Sequence, residues 1–397
     1  MSTAAAGPAQ PRSGILRRFI QGDLAELRVL LGLAVIWIVF QAQEDRFLTA
    51  VNLTNLVLQI TAIGLISVGV VLVLLLGEID LSVGAVSGLC AAIMAVLSEK
   101  HGWSPYLAIA AGIAAGTLIG LFQGAVFTRF GIPSFVVTLA GLLAWQGGLL
   151  QVLGESGTVN LTDPKITGLA NTFYGDAFGW LVAALAIAVY AVLSLRGRML
   201  RVRDELPAPP LAAVALRIGL VTAAVLAAIA VLNADRGLPL AALILVGFVL
   251  LFQYVTTKTA FGRHMYAVGG NAEATRRAGI SITRVRVVVF MLASTMAAVG
   301  GIMAASRLLA VNQSSGAGDV LLLAIAAPVV AGTSLFGGRG SVWSALLGAL
   351  VIGSISNGMD LLALSSSVKF MVTGAVLLAA VVIDAIARNK RQAAGRL

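Results

Sequence analysis

The chain has 397 residues, 59% of them hydrophobic and 11% charged, and a formal net charge of +10. A soluble domain carries about a quarter charged residues, so this composition excludes a water-facing globule of this length and indicates a protein whose surface lies largely in lipid. The positive charge suggests nucleic acid, but the basic residues sit in short segments between long apolar runs, and no nucleic-acid partner is expected.

In chain order, residues 1–26 read as a flexible cytoplasmic tail carrying Arg12, Arg17 and Arg18. The run 29–43 reads as a retained first helix. Its basic leader is long, and no clear small-residue cleavage site follows Phe40, unlike a cleaved signal peptide. A spanning helix needs about 20 apolar residues. No charge occurs between Arg46 and Glu78, between His101 and Arg129, or between Gly131 and Gly154. Further runs lie at 81–98, 177–195, 218–234, 237–257, 287–306, 320–338, 340–359 and 370–383. These stretches are continuous and rich in Leu, Ala and Val, so helices are favoured over a β-barrel. The expected fold is an all-α, polytopic transmembrane bundle of about 10–12 helices. If 77–98 and 319–340 enter the membrane as half-helices, the count is ten and the termini stay where they are.

Glu78 and Asp80 interrupt an otherwise apolar region. Ionisable groups at membrane depth are costly and often functional, so Asp80 is a candidate for lining the path of a polar solute. The competing reading is structural: Asp80 or Ser82 caps the helix that starts near Val83. Gln59, Thr138, Trp145 and Gln146 lie inside apolar runs, and Asn357 and Asp360 end one; for these, hydrogen bonds between helices compete with contact to a solute. Gly112, Gly116, Gly120 and Gly124 recur every four residues and form one face of a helix, which favours close approach by a neighbouring helix. The segment 154–176 is the largest expected external loop, and 196–210, with Pro207, Pro209 and Pro210, reads as a cytoplasmic linker.

Residues 258–286 form the longest expected cytoplasmic segment between spans. Asn271 suits a helix N-cap and Gly279 a helix end, which gives a short basic helix that either lies on the inner leaflet or docks into a partner. Polar, Gly-containing breaks at 77–83 and 332–342, each followed by Ser-Val, form a weak internal repeat of the inverted kind found in transporters. The final residues, 388–397, read as a second cytoplasmic tail. Basic clusters at the N-terminus, at 196–203, at 258–286 and at 388–396 are separated by six, two and four candidate spans. Even numbers keep all four clusters on one side, so both termini are expected in the cytoplasm. Cys90 is the single cysteine, His101 and His264 are the two histidines, and no P-loop or metal-ligand spacing occurs, so neither enzyme chemistry nor a cofactor is expected.

Three motifs carry a resemblance. The run GEIDLSVG (77–84), the segment TAFGRHMYAVGGNAEATRRAGI (259–280) and the run APVVAGTSLFGGRG (327–340) resemble, in the same order, motifs of permease subunits of bacterial ABC sugar importers of the ribose/xylose/arabinose/galactose group. The resemblance covers most of residues 45–390. Glu78, the runs 132–147 and 232–240, and the length of the 177–257 region are similar to the xylose-type permease; Arg339 departs from the Gly-rich motif, where a smaller or apolar residue is commoner. This resemblance implies an ABC importer permease fold in the inner membrane, a permease homodimer, a cytoplasmic ABC ATPase and an extracytoplasmic sugar-binding protein. It also implies that 259–280 couples to the ATPase, through Gly262, Arg263, Asn271, Glu273, Ala274, Arg276, Arg277 and Gly279. A sugar is neutral and polyhydroxylated, so its path needs hydrogen-bonding groups, for which Asp80, Gln59 and Asn357 are the candidates. The implied cargo is D-xylose, with ribose, arabinose or galactose as alternatives. An ion-coupled secondary transporter, with Asp80 binding the ion, and a membrane scaffold or receptor are the competing classes.

Overall fold

The computed structural model describes residues 25–393. In chain order the helices are α1 (Ala25–Gln43), α2 (Ala50–Leu75), α3 (Val83–Lys100), α4 (Pro105–Phe130), α5 (Ser134–Leu153), α6 (Pro164–Asn171), α7 (Asp176–Arg203), α8 (Leu211–Asn233), α9 (Leu240–Lys258), α10 (Ala260–Gly270), α11 (Ala272–Arg277), α12 (Ile282–Leu308), α13 (Asp319–Val330), α14 (Trp343–Leu361) and α15 (Ser366–Ala393). Among the described residues nine are long and apolar enough to cross a membrane, and α1, α13 and α15 carry shorter apolar windows. The fold is the polytopic helical bundle that the charge-free runs predict.

Local chemistry sets the helix ends. Thr49 Oγ1 accepts from Asn52 N at the start of α2, and Ser281 Oγ from Arg284 N at the start of α12. Pro105 opens α4, and Gly131 in a left-handed conformation closes it. Of the two suspected half-helices, only one is short. At 12 residues, α13 rises about 18 Å, well under the ~30 Å of a hydrocarbon core. The 18 residues of α3 nearly span it.

Burial separates centre from rim. In their most apolar windows α2 is 78% buried, whereas α7 and α8 are 11% buried. The centre is therefore α2, α3, α12 and α14, and α7 and α8 form a peripheral pair whose outward Leu and Val side chains suit lipid. The glycine face of α4 packs on α12: a Cβ at Gly116 would lie 2.7 Å from the Ser294 carbonyl, one at Gly124 3.0 Å from Val287 Cα, and one at Gly120 would collide with the Phe290 carbonyl. Gly112 instead abuts the Cys90 carbonyl of α3, which shares this seam.

Two short antiparallel ribbons mark one end of the bundle: β1 (Thr158–Asn160) with β4 (Ala310–Asn312), and β2 (Phe173–Tyr174) with β3 (Leu238–Pro239). Both polar breaks and the 258–281 segment lie at the opposite end, where Gly338 N donates to Leu75 O. Because α7 starts beside β2, its C-terminal arginines also fall at the break end.

Several boundaries move. The linker expected at 196–210 begins only after Arg203, because Arg and Leu sustain α7 until the prolines intervene. The 258–286 segment divides into α10 and α11, and residues 282–286 already belong to α12. The 154–176 loop contains β1, α6 and β2. Helix α15 runs through Ala393, into the expected C-terminal tail of 388–397, and Ala25 and Glu26 of the expected 1–26 tail begin α1, while residues 1–24 and 394–397 lie outside the described residues.

Candidate coupling site

The first break follows Leu75, where Gly77 takes a φ of +74°, a conformation that favours glycine. Asp80, buried, accepts at Oδ1 from Ser82 N (2.8 Å) and Ser82 Oγ (2.6 Å), which fixes the turn just before α3; neither Asp80 nor Ser82 gives the side-chain cap expected at that helix start, since no side-chain bond reaches the free N–H groups of its first turn. Asp80 Oδ2 has no hydrogen-bond partner among the described residues. Gln123 of α4 donates to Ser82 Oγ at 3.0 Å. Two backbone N–H groups of the break are satisfied from α5: Ile79 N donates to Ser134 Oγ (3.4 Å) and Leu81 N to Thr138 Oγ1 (3.1 Å). Thr138 thus serves an interhelical role, and Gln123 and Ser134 were missed from sequence. Ser134 carried one signal, its place directly after Pro133 at a helix start.

The second break runs from the end of α13 to Trp343. Thr333 N donates to Pro328 O (2.8 Å) and Ser334 N to Arg339 O (3.0 Å), so Arg339 contributes its backbone while its side chain stays exposed. Hydrogen bonds tie this loop to its surroundings. Gly338 N donates to Leu75 O at 2.9 Å, Tyr266 Oη to Gly340 O at 2.8 Å, and Ser341 Oγ to Gln253 Oε1 of α9 at 3.2 Å. Burial raises the Tyr266 phenol above its ordinary value, which keeps it a donor.

Helix α10 closes the junction. Its buried Met265 and Val268 anchor it on the bundle, and Gly262 packs where a Cβ would strike the Thr256 carbonyl. At its last turn a Cβ on Gly269 would collide with Leu75 O and lie 2.7 Å from Gly338 N. All three sequence motifs meet at backbone distance: a Cβ on Gly77 would lie 3.2 Å from the Phe336 carbonyl, and one on Gly337 would lie 2.8 Å from both Gly269 O and Gly77 N. Helix α11 projects beyond this junction. Asn271 Oδ1 accepts from Ala274 N (2.9 Å), and Gly279 takes a φ of +82°. Glu273 pairs with Arg276 (2.8 Å) and Arg277 (3.1 Å), whose guanidinium groups hold its carboxyl below the usual range. Ala274 and Arg263 are exposed, and Thr275 is the only buried residue of α11.

The three path candidates do not form one site. Asn357 exchanges hydrogen bonds with Asn52 (2.8 and 3.1 Å) and donates to Gln59 Oε1 at 3.3 Å, joining α14 to the first half of α2. Gln59 lies 16 residues, about 24 Å of helix, before Leu75. Asp80 is thus at the other end of α2. At the ribbon end, Ser156, Gly157, Thr158, Asn312, Gln313 and Ser314 line an open cleft of about 340 Å³ whose side chains are all neutral. Gln146 Nε2 donates to Gln313 O beside it (3.0 Å).

The family described as branched-chain amino acid transport system / permease component matches residues 52–381. The xylose transport system permease protein XylH of Escherichia coli strain K12 is 37% identical over 348 residues, 87% of this chain and 88% of the relative. XylH of Haemophilus influenzae is 34% identical over 363 residues, 91% of this chain and 96% of the relative. The ribose import permease protein RbsC of Bacillus subtilis strain 168 is 32% identical over 368 residues, 93% of this chain and 95% of the relative. No solved structure matches.

Proposed function

As a permease subunit of the ribose/xylose group of ABC sugar importers, this chain belongs to the family described as branched-chain amino acid transport system / permease component, and we propose that it carries D-xylose across the cytoplasmic membrane. Identity of 37% and 34% to two xylose permeases, against 32% to a ribose permease, favours that cargo. Family membership sets aside the ion-coupled and scaffold alternatives, and permeases of this group are not enzymes. The permease works as a homodimer with both termini in the cytoplasm, beside an ATPase pair and a sugar-binding protein on the outer face.

One observation carries the mechanism: Gly269 of α10 abuts both Leu75 and Gly338. A push delivered to α11 by the closing ATPase reaches the end of α2 and the loop before α14 together, and those two helices are among the most buried of the bundle. Displacing both breaks at once is what switches an outward-facing path to an inward-facing one. The outer cleft, with neutral hydrogen-bonding side chains only, suits a polyhydroxylated solute that must enter and leave without a counter-ion. Within the membrane, Gln59, Asn357 and Asp80 are the proposed path contacts; of the three, Asp80 keeps an oxygen without a hydrogen-bond partner among the described residues.

The test is uptake into proteoliposomes holding the permease with its ATPase and binding protein. D-xylose is expected to accumulate with ATP and to outcompete D-ribose by at least tenfold; the reverse preference would move the assignment to ribose. Asp80 provides a hydrogen-bonding oxygen rather than a required charge. Asp80→Asn keeps the Oδ1 acceptor, so its uptake stays within about threefold of wild type, whereas Asp80→Ala loses both hydrogen bonds to Ser82, each worth about 1 kcal/mol, and falls further. Complete loss in an assembled Asp80→Asn would show that the charge itself is needed.

A further inference from the structure

The first break has a second attachment to the coupling segment, of a different physical kind. Arg286, in the second turn of α12, places Nη2 2.7 Å from Glu78 Oε1. The Glu78 side chain is 14% exposed and that of Arg286 32%. Among the described residues, every other salt bridge joins residues no more than nine positions apart. The guanidinium also lies 5.8 Å from the Phe127 ring of α4, and its Nε is buried without a hydrogen-bond partner among the described residues. The Glu78 backbone is fixed in turn, its N–H donating to Val73 O at 3.3 Å. The pair therefore spans from the base of α12, a few residues after α11, to the break that contains Asp80.

The contact of Gly269 with Leu75 can push, because atoms already touching resist compression, but against separation α10 is tied to Leu75 indirectly, through two hydrogen bonds relayed by the Gly-rich loop, Tyr266–Gly340 and Gly338–Leu75. A half-covered ion pair resists separation, since parting the charges leaves each poorly solvated. We propose that Glu78 and Arg286 are positioning residues that make the first break follow the coupling segment on the return stroke, so that ATP hydrolysis stays tied to sugar movement. This rests on the importer reading above. Neither residue touches sugar or nucleotide in this role; they act through the break.

The test is the ratio of D-xylose moved to ATP hydrolysed, measured in proteoliposomes with the complete importer. Glu78→Gln and Arg286→Gln are expected to lower that ratio at least tenfold while hydrolysis stays within about twofold of wild type. The double variant E78Q/R286Q is decisive, because it leaves no unpaired charge to unfold the protein. A merely structural pair predicts that it regains the wild-type ratio; the positioning role predicts that it stays low, and that the charge swap E78R/R286E recovers at least half. A wild-type ratio in E78Q/R286Q, or a fall in hydrolysis proportional to the fall in uptake, would overturn the proposal. If the wild-type importer takes up none of D-xylose, D-ribose, arabinose and galactose, the importer reading fails instead, and this inference with it.

Discussion

A permease lacking residues 272–279 inserts into the membrane at near wild-type levels and moves no sugar. The expectation follows from how little of the fold that segment carries. Thr275 is the only buried residue of α11, Glu273 bonds only to arginines of its own helix, and the arginines are open to solvent. Exposed i,i+3 and i,i+4 pairs contribute little to stability, so their loss leaves the bundle standing. What is lost is the projecting surface through which an ATPase would grip α10. Yield within about twofold of wild type, with uptake at background, is the expected outcome. Uptake that survives the deletion would remove α11 from the coupling route.

Gly269→Val produces the other large effect. The new Cβ meets main-chain atoms, Leu75 O and Gly338 N, and not a side chain that can turn aside. Overpacking of this kind costs about 1–3 kcal/mol, which the bundle relieves by moving α10 away from the junction. The Gly338–Leu75 and Tyr266–Gly340 hydrogen bonds then lengthen or break. Because α11 keeps its own Asn271 cap and exposed face, ATPase docking persists while its motion no longer reaches the breaks. Uptake is expected to fall at least tenfold, and the loss lies in transmission rather than assembly.

How much of this was legible in the sequence depends on how locally each feature is encoded. Charge-free runs gave the spans, because lipid exposure acts on every residue of a helix. The four-residue spacing of Gly112 to Gly124 marked a packing face, since a helix repeats that face every turn or so. Asn271 and Gly279 marked the ends of a short helix because caps depend on the neighbouring residues. The coupling junction had no such signature. It joins Leu75, Gly269 and Gly338, which are brought together only by the order in which the helices fold back, and no periodicity relates them. Gln123 and Ser134 were obscure for the same reason: each serves the first break from another helix. Glu78 stood out as a charge at membrane depth, but its partner Arg286 was one of several basic residues in a loop cluster. Grouping Asp80 with Gln59 and Asn357 rested on polarity alone, and polarity does not say which end of α2 a side chain occupies.

The central claim is that α10 transmits ATPase closure to both polar breaks through one backbone junction. ATP-driven D-xylose uptake and ATP hydrolysis, measured together for Gly269→Val in proteoliposomes at matched amounts of assembled importer, test it most directly. The junction predicts uptake at a tenth of wild type or less while hydrolysis continues. Wild-type uptake in that variant would contradict it.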